Sequence, residues 1–296
     1  MRSFLVLALL SLTCCGFLHE NMDEFYYLRV NAPFEVYDPE ENPFRDWTEE
    51  QLRELFTLQF EYPEYEEEEE EEVEEENGTT FDARTNWPNC VQPIRNQESC
   101  GSCWAFSGAV TLSWRFCISS GGSINVPLST QDSVSCDTSN MACDGGYLSY
   151  TWKYYKNTGI VSDSCFPYTA GQGNVESCVS KCKNGESWKK YKVSSYTGYK
   201  TKATIQAELK AGGPIQTGFT VYNDFMNYSS GIYEYVSGSN LGGHAVIIIG
   251  WGNENGKDYW ICQNSWGASW GEKGYFRIKM GECGIDSDTY AGVPKI

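Results

Sequence analysis

The chain of 296 residues is long enough for one or two domains with a sizeable core, and its net charge of −18 lies almost entirely in its first part. Residues 1–80 hold 23 acidic and 4 basic side chains, whereas residues 81–296 hold 17 and 18. Neither part has the basic surface that nucleic-acid binding requires, so no nucleic-acid partner is expected.

The first sixteen residues have the three parts of a secretory signal peptide. Met1-Arg2-Ser3 is positively charged, residues 4–12 are mainly apolar, and small residues end at Gly16. The apolar run is shorter than the roughly 20 residues that cross a bilayer, and no later segment is long enough, so no membrane anchor is expected. The sequence therefore predicts entry into the secretory pathway and removal of residues 1–16.

Cysteine divides the chain in the same way. Of the 13 cysteines, two lie in the predicted signal peptide, none in residues 16–89, and eleven after Pro88. In a secreted chain this density indicates disulfides, and the odd number leaves at least one thiol unpaired. Zinc binding is the alternative, but irregular cysteine spacings and a single nearby histidine match no common zinc pattern. No metal or cofactor is expected.

Residues 17–80 are polar and acidic and contain one well-signalled helix. Thr48 and Gln51 form a capping-box pattern at its start. Its apolar side chains share one face: Leu52, Leu55 and Phe56. This pattern predicts either a small amphipathic helix or, more specifically, a pro-segment helix that packs on the enzyme it inhibits.

A dense acidic run follows, with Glu66 to Glu72 unbroken and Glu74 to Glu76 continuing it. Like charges at this density repel one another, so an extended linker is favoured over a calcium or partner site. Asn77-Gly78-Thr79 and Asn227-Tyr228-Ser229 both fit the glycosylation pattern. Globular composition begins at about Phe81, so we expect a pro-segment with its linker over 17–80 and a globular domain over 81–296.

The globular part mixes helical and strand patterns. An apolar stretch without proline predicts a buried helix from residue 103 to about 118. Apolar runs predict strands over 215–221, 244–251 and 259–263.

The last two predicted strands are joined by Asn255-Gly256, which is typical of a hairpin turn. If Gly252 pairs near Lys257, the ladder brings His244 opposite about residue 265. The spacing therefore predicts a contact between His244 and Asn264 at the open end of the hairpin.

The chain has two histidines. His19 lies in the front segment, close to the predicted signal peptide, so His244 is the only histidine of the globular part. Cys103 begins the predicted helix, where the helix dipole lowers a thiol pKa. With His244 as its base, Cys103 would rest as a thiolate–imidazolium pair and attack a carbonyl. Asn264 would orient the imidazole, while the Gln97 amide and the Cys103 backbone N–H would stabilise the oxyanion.

Taken singly, these residues have ordinary structural explanations. Cys103 can be half of a disulfide, His244 a core histidine and Asn264 a turn residue. These separate explanations do not explain why the three residues occur in this order together with Gln97.

A catalytically silent binding homologue is the second class of function, and such proteins usually lose the cysteine or the histidine. A third class, a dithiol oxidoreductase using Cys100 and Cys103, lacks the expected strand-first context.

The segment Cys100-Gly101-Ser102-Cys103-Trp104 resembles the nucleophile signature of papain-like cysteine proteases. The likeness covers about residues 81–296 and is greatest to the cathepsin B type. It is carried further by these segments: 81–84, 87–90, 143–147, 221–225, 242–245, 264–267, 270–276 and 283–286. Residues 42–47 of the front segment also resemble the short cathepsin B type of pro-segment.

The resemblance implies an α+β, two-lobed papain-like fold. A helical left lobe would carry Cys103, a β-barrel-like right lobe would carry His244, and the active site would lie in the cleft between them. It also implies four disulfides: Cys90–Cys117, Cys100–Cys143, Cys136–Cys178 and Cys165–Cys182. Cys103 would be the reactive thiol, and Cys262, on a buried strand, is expected to be free and inert.

By the same resemblance, Gly145 and Gly146 would bind substrate backbone, Trp266 would shield the histidine–asparagine contact, and Trp270 would line the leaving-group side. The pocket for the second residue before the cut would be lined by Tyr147, Leu148, Ala245 and Asp288. The family also implies protein and peptide substrates, the chain's own pro-segment and cystatin-like proteins as inhibitors, and a monomer in a lysosome, another acidic vesicle or the secreted fluid.

One departure from the cathepsin B type bears on specificity. That type carries an occluding loop with a histidine pair that holds the substrate's C-terminal carboxylate. Here the span between Cys165 and Cys178 is short and has no cysteine, histidine or basic residue. Nothing in it can pair with a carboxylate, so the sequence predicts an endopeptidase with an open cleft.

Overall fold

The computed structural model describes residues 22–61, 75–76 and 78–296. The predicted signal peptide, most of the glutamate run and Asn77 lie outside the described residues. Within the described ranges, no helix is both long and apolar enough to cross a membrane.

Seven α-helices occur in the described residues. They are α1 (Met22–Asn31), α2 (Glu49–Arg53), α3 (Ala83–Asn86), α4 (Cys103–Ser119), α5 (Thr130–Cys136), α6 (Leu148–Asn157) and α7 (Lys202–Gly212). Short 3-10 turns lie at Pro88–Cys90, Ala170–Gln172, Asn223–Asn227 and Glu282–Gly284.

Nine strands accompany these helices. They are β1 (Phe34–Val36), β2 (Phe81–Asp82), β3 (Val193–Tyr199), β4 (Ile215–Tyr222), β5 (Tyr228–Tyr233), β6 (Asn240–Glu254), β7 (Lys257–Gln263), β8 (Tyr275–Lys279) and β9 (Asp288–Pro294). The sheet order is β1-β5-β8-β7-β6-β4-β9-β3, with β2 added to β6. The α+β class is confirmed, and the expected barrel-like lobe is an open sheet.

Helix α4 is the buried axis of the helical lobe. Every residue from Cys103 to Cys117 is buried, as expected for a helix that is apolar on all sides. Its one buried cation, Arg115, is paired with Glu208 and also donates to carbonyls beyond α7 and in β9. The helix therefore joins the helical lobe to the sheet and fixes the position of its first residue, Cys103.

The hairpin of β6 and β7 forms as predicted, but its register differs. Asn255 and Gly256 both have positive φ, 54° and 79°, as a tight hairpin turn requires. Gly252 pairs with Tyr259 rather than with a residue near Lys257. An irregularity between Ile248 and Gly250 then shifts the ladder by one residue before the open end.

The four predicted disulfides are confirmed: Cys90–Cys117, Cys100–Cys143, Cys136–Cys178 and Cys165–Cys182. Cys103, Cys262 and Cys283 are free, and the first two are buried. All four cross-links join residues between 90 and 182, whereas the main sheet contains none.

The front segment packs along one side of the globular part. Strand β1 pairs antiparallel with β5 and extends the sheet at its edge. Tyr37 then accepts a hydrogen bond from the Gly271 N–H (2.6 Å) and donates to the Ser269 carbonyl (3.2 Å). Helix α2 begins with the predicted capping box at Thr48. The helix ends at Arg53, so of the three residues predicted to share its apolar face only Leu52 lies in it. Leu55 and Phe56 follow the helix, and all three side chains are buried.

Candidate active site

Cys103 lies at the first residue of α4 and is completely buried. The backbone N–H of Ala245, the residue after His244, points at its sulfur, as do the backbone N–H groups of Trp104 and Cys103 itself. The start of α4 and the middle of β6 therefore meet at the thiol. The predicted nucleophile therefore lies against the strand that carries the predicted histidine, at the residue next to it.

His244 contacts Asn264 as predicted. The imidazole Nε2 lies 2.8 Å from Asn264 Oδ1, which also accepts the Ser265 N–H at 2.8 Å. Because an amide oxygen can only accept, Nε2 carries the proton and Nδ1 is left as an acceptor. Nδ1 is buried and has no hydrogen-bond partner among the described residues, so it is free to take a proton from a thiol.

Trp266 covers the histidine–asparagine contact, as the resemblance implied. Its ring stacks on the imidazole at 4.7 Å between centroids, with an interplanar angle of 26°. Trp270 packs behind it, edge-on at 4.7 Å, and is fully buried against Phe225 and Phe276. Trp270 was expected to line the leaving-group side; in this structure it supports Trp266 from the core instead.

Gln97 is held beside the nucleophile by both ends of its amide. Its Oε1 accepts from the Ser265 hydroxyl at 2.7 Å, and its Nε2 donates to the Cys100 carbonyl at 3.0 Å. One N–H of the amide remains for another acceptor. The partner Ser265 was missed in the sequence because a serine after Asn264 carries no pattern of its own.

Burial affects the ionisation of both Cys103 and His244. Burial raises the pKa of the Cys103 thiol to about 11, and the surrounding backbone N–H groups offset only part of this. Burial lowers the pKa of His244 to about 4, against the opposing effect of Asn264. In this closed form burial therefore disfavours the charged state of both groups, and the thiolate–imidazolium pair stays a prediction for the open enzyme.

The cause of this burial is the front segment. Phe56 packs edge-on against the His244 ring at 5.8 Å and against Trp266 at 5.8 Å. Thr57 Oγ1 donates to the Gly101 carbonyl at 3.1 Å. The chain crosses the cleft here and removes water from both reactive groups.

Backbone hydrogen bonds fix this crossing to both walls of the cleft. Leu58 N–H donates to the Gly243 carbonyl (3.1 Å), and Gln59 N–H donates to the Gly146 carbonyl (3.0 Å). Gly145, with φ of 108°, allows the close approach, because a Cβ there would lie 2.0 Å from the Thr57 carbonyl oxygen. The two glycines predicted to bind substrate backbone thus contact the front segment.

A buried carboxyl group, Asp288, lies beyond this crossing. A Cβ on Gly218 would lie 2.5 Å from Leu58 Cδ2, 3.1 Å from a Phe60 ring carbon and 3.5 Å from Asp288 Oδ2. Asp288 is only 2% exposed, and its Oδ2 has no hydrogen-bond partner in the part of the chain described. Burial, and then the charge of Glu61, raises the pKa of Asp288 to about 7.

The other predicted pocket residues are also placed in this region. Leu148 begins α6 and, like Ala245, belongs to the same buried cluster as Leu58 and Cys103. Tyr147 is partly exposed and packs against Tyr150 at 4.8 Å. Gly218 was missed in the sequence, because a glycine within a strand gives no sign of which side chain it faces.

The second sequon is inaccessible in this fold. Asn227 is only 4% exposed, and its carbonyl accepts the Tyr37 N–H at 2.9 Å. A glycan on Asn227 is therefore incompatible with the folded chain.

Comparison with known proteins gives a consistent result. The papain family cysteine protease model matches residues 78–293. The chain is 42% identical over 256 residues to cathepsin B-like cysteine proteinase 4 of Caenorhabditis elegans, covering 73% of this chain and 75% of that protein. It is 43% identical over 219 residues to cathepsin B-like CP3 of Giardia intestinalis, covering 72% and 73%.

Solved proenzyme structures resemble the whole described fold. The structure of proCathepsin B S9 from Trypanosoma congolense superposes with a TM-score of 0.79 at 30% identity, covering 93% of this chain and 97% of that one. Digestive procathepsin L2 from Tenebrio molitor gives a TM-score of 0.73 at 27% identity, covering 94% and 88%. Together with the family match, these similarities show that the chain belongs to the papain family of cysteine proteases and is cathepsin B-like.

Proposed function

We propose that the chain is a cysteine endopeptidase of the secretory pathway that is made as an inhibited proenzyme. Residues 1–16 would be the signal peptide, 17–80 the pro-segment with its acidic linker, and 81–296 the peptidase domain. The observation that carries the proposal is the crossing of residues 56–60 over the buried pair of Cys103 and His244. A lysosome, another acidic vesicle or the extracellular fluid would be its place of action.

The proposed mechanism begins when the pro-segment leaves the cleft. Water then reaches the pair, the Cys103 thiol gives its proton to His244 Nδ1, and the ion pair forms. The thiolate attacks the substrate carbonyl while Gln97 Nε2–H and the Cys103 N–H stabilise the oxyanion. The imidazolium then protonates the leaving amine, and a water deprotonated by His244 hydrolyses the thioester.

Asn264 is proposed to hold the imidazole in the tautomer that this mechanism needs. Asn264→Ala removes the 2.8 Å contact to Nε2, so we expect kcat to fall about ten- to a hundredfold because the ring loses its orientation. Initial rates on a fluorogenic peptide after acid activation measure this. Asn253→Ala removes another amide–acceptor contact, in the β6–β7 turn, and should keep the parental rate; equal rates in all three proteins would contradict the role of Asn264.

Endopeptidase action is proposed because of the segment between Cys165 and Cys178. Its turn at Ala170–Gln172 folds against the chain beside Gln97, where the Gly171 carbonyl accepts the Ser99 N–H at 2.8 Å. The segment contains no histidine or basic residue that can bind a terminal carboxylate.

The test of this proposal uses matched peptides with free and amidated C-termini. The acid-activated enzyme is expected to cut both at internal bonds with similar kcat/KM. Release of dipeptides from the free form alone would overturn the proposal.

The pH dependence of pro-segment docking is predicted from two carboxyl groups. With the front segment docked, burial and then the charge of Glu61 raise the pKa of Asp288 to about 7. Burial, with Asp224 nearby, also raises the pKa of Glu24. A group whose pKa is raised by docking favours docking below its free pKa and loses that contribution as pH rises through the docked value. These carboxyls therefore tighten docking in acid and weaken it as the pH rises towards 7.

Asp288→Asn, which mimics the protonated form, should remove most of this dependence. We expect labelling of Cys103 in the uncleaved proenzyme by an epoxysuccinyl inhibitor to be several-fold slower at pH 7 in this variant than in the parent, and equal at pH 4.5. Asp46→Asn, an exposed carboxyl of the front segment, serves as the control. Parent and Asp288→Asn proteins with the same ratio of rates at the two pH values would contradict this assignment.

A further inference from the structure

The cleft has two chemically different ends. At one end, Leu58 and Phe60 lie beside Asp288. At the other, Phe44 packs edge-on against Trp266 at 5.2 Å. If the proposed function holds, Asp288 belongs to the side before the cut and Trp266 to the leaving-group side.

Glu98 lies at the Trp266 end. The residue before it, Gln97, donates its backbone N–H to the Ser265 carbonyl at 2.9 Å, and Asn96 forms a bridge with Trp266. Glu98 is exposed and follows directly the proposed oxyanion donor. A carboxylate thus stands next to the reaction centre, on the side from which the leaving amine departs.

The position of this carboxylate is enforced by its surroundings. Glu98 has φ of 54°, a conformation that costs a non-glycine residue free energy unless neighbouring contacts hold it. The Asn96 side-chain oxygen accepts the Glu98 N–H at 3.0 Å, and Gln172 Nε2 donates to Glu98 Oε2 at 2.8 Å. Gly171 lets the turn approach, because a Cβ there would lie 2.4 Å from that carboxylate oxygen.

The charge of Glu98 is not neutralised by an ion pair within the described ranges. The nearby Arg95 is engaged elsewhere: it pairs with Asp163 at 2.6 Å and lies over the Phe106 ring. Glu176, in the same short segment as Gln172, is paired with Lys183. The hydrogen bond from Gln172 orients the carboxylate but leaves its negative charge.

We propose that Glu98, positioned by Gln172, is a specificity-determining residue that selects a lysine or arginine within the first two positions after the cut. This inference rests on the proposed endopeptidase function and deepens it. The same charge repels a free C-terminal carboxylate brought into that half of the cleft. A partly exposed ion pair of this kind gives a modest but salt-dependent preference.

The experiment uses internally quenched peptides that share one sequence before the cut and carry Lys, Gln or Glu at the first or second position after it. All peptides are amidated at the C-terminus and assayed with acid-activated enzyme near pH 6 at low salt. For the parent we expect kcat/KM to be about tenfold higher for Lys than for Glu at the sensitive position. In Glu98→Gln the ratio should fall to about two.

Two further variants separate charge from structure. Gln172→Leu keeps the charge but removes the orienting donor, so its Lys:Glu ratio should lie between those of the parent and Glu98→Gln. Glu176→Gln removes a carboxylate from the same segment and should keep the parental ratio. A parental ratio in both Glu98→Gln and Gln172→Leu, or a parent with no preference, overturns the assignment.

Failure of the endopeptidase proposal is distinguishable from failure of this one. An enzyme that cuts only unamidated versions of these peptides refutes endopeptidase action. The Lys:Glu ratio is then measured on the unamidated set, where the same comparison of parent and Glu98→Gln decides the role of Glu98.

Discussion

Replacing Cys103 by serine is expected to lower kcat/KM on the order of 10⁴-fold or more and to abolish self-processing of the proenzyme. The hydroxyl that remains is a far weaker nucleophile than a thiol, because its proton is much harder to remove at the pH where His244 is a base. The measurements are peptide hydrolysis after exogenous removal of the pro-segment, and covalent labelling by an epoxysuccinyl inhibitor detected by mass.

Two other free thiols provide the controls. Cys283→Ser changes a partly exposed thiol outside the cleft and should retain both labelling and activity. Cys262 is fully buried, and burial raises its pKa far above the ordinary value, so it should remain unlabelled in the folded parent. Equal labelling of the parent and Cys103→Ser proteins would refute the assignment of the nucleophile.

Replacing Phe56 by alanine is expected to open the proenzyme. The Phe56 ring is 4% exposed and packs on both His244 and Trp266, so its truncation should weaken docking of the front segment by about 3–5 kcal/mol. If the inhibitor reacts only with the open form, the rate of Cys103 labelling at pH 7 should rise on the order of 10²–10³-fold in proportion to the open population.

A matched control is present in the same segment. Tyr27 is another aromatic side chain of the front segment, but it is 50% exposed on α1, so Tyr27→Ala should label at the parental rate. Labelling of Phe56→Ala that is no faster than that of Tyr27→Ala would show that Phe56 does not keep the cleft closed. Mass measurement of each uncleaved chain before labelling excludes processing as the cause.

The sequence predicts the site better than the geometry that assembles it. The contact of His244 with Asn264 follows from the turn at Asn255-Gly256, whose residue types permit few alternatives. The register itself was wrong by two residues at the turn because β6 and β7 continue to Glu254 and Lys257, and the irregularity near Ile248 is invisible in an apolar run.

The front segment combines a local signal that its sequence reveals with long-range contacts that it does not. The capping box at Thr48 is a local signal and was read correctly. Strand β1 has only three residues and depends on pairing with β5, so its sequence is too short to show the alternating apolar pattern of a strand. The burial of Cys103 and His244 beneath the front segment is likewise a product of contacts with residues more than 40 positions away in the sequence, which the motif around the nucleophile does not encode.

The distribution of the disulfides gives the two halves of the active site different sensitivities to redox conditions. All four cross-links lie between residues 90 and 182, in the lobe that positions Cys103, and each restricts the unfolded chain there. The sheet that carries His244, and that Asn264 follows, contains no disulfide and depends on packing, hydrogen bonds and ion pairs such as that of Arg277 with Glu272. A thiol reductant is therefore expected to destabilise the lobe that positions Cys103 and to leave the sheet that positions His244 unaffected. The redox state of the compartment then decides how long the two residues keep their relative positions.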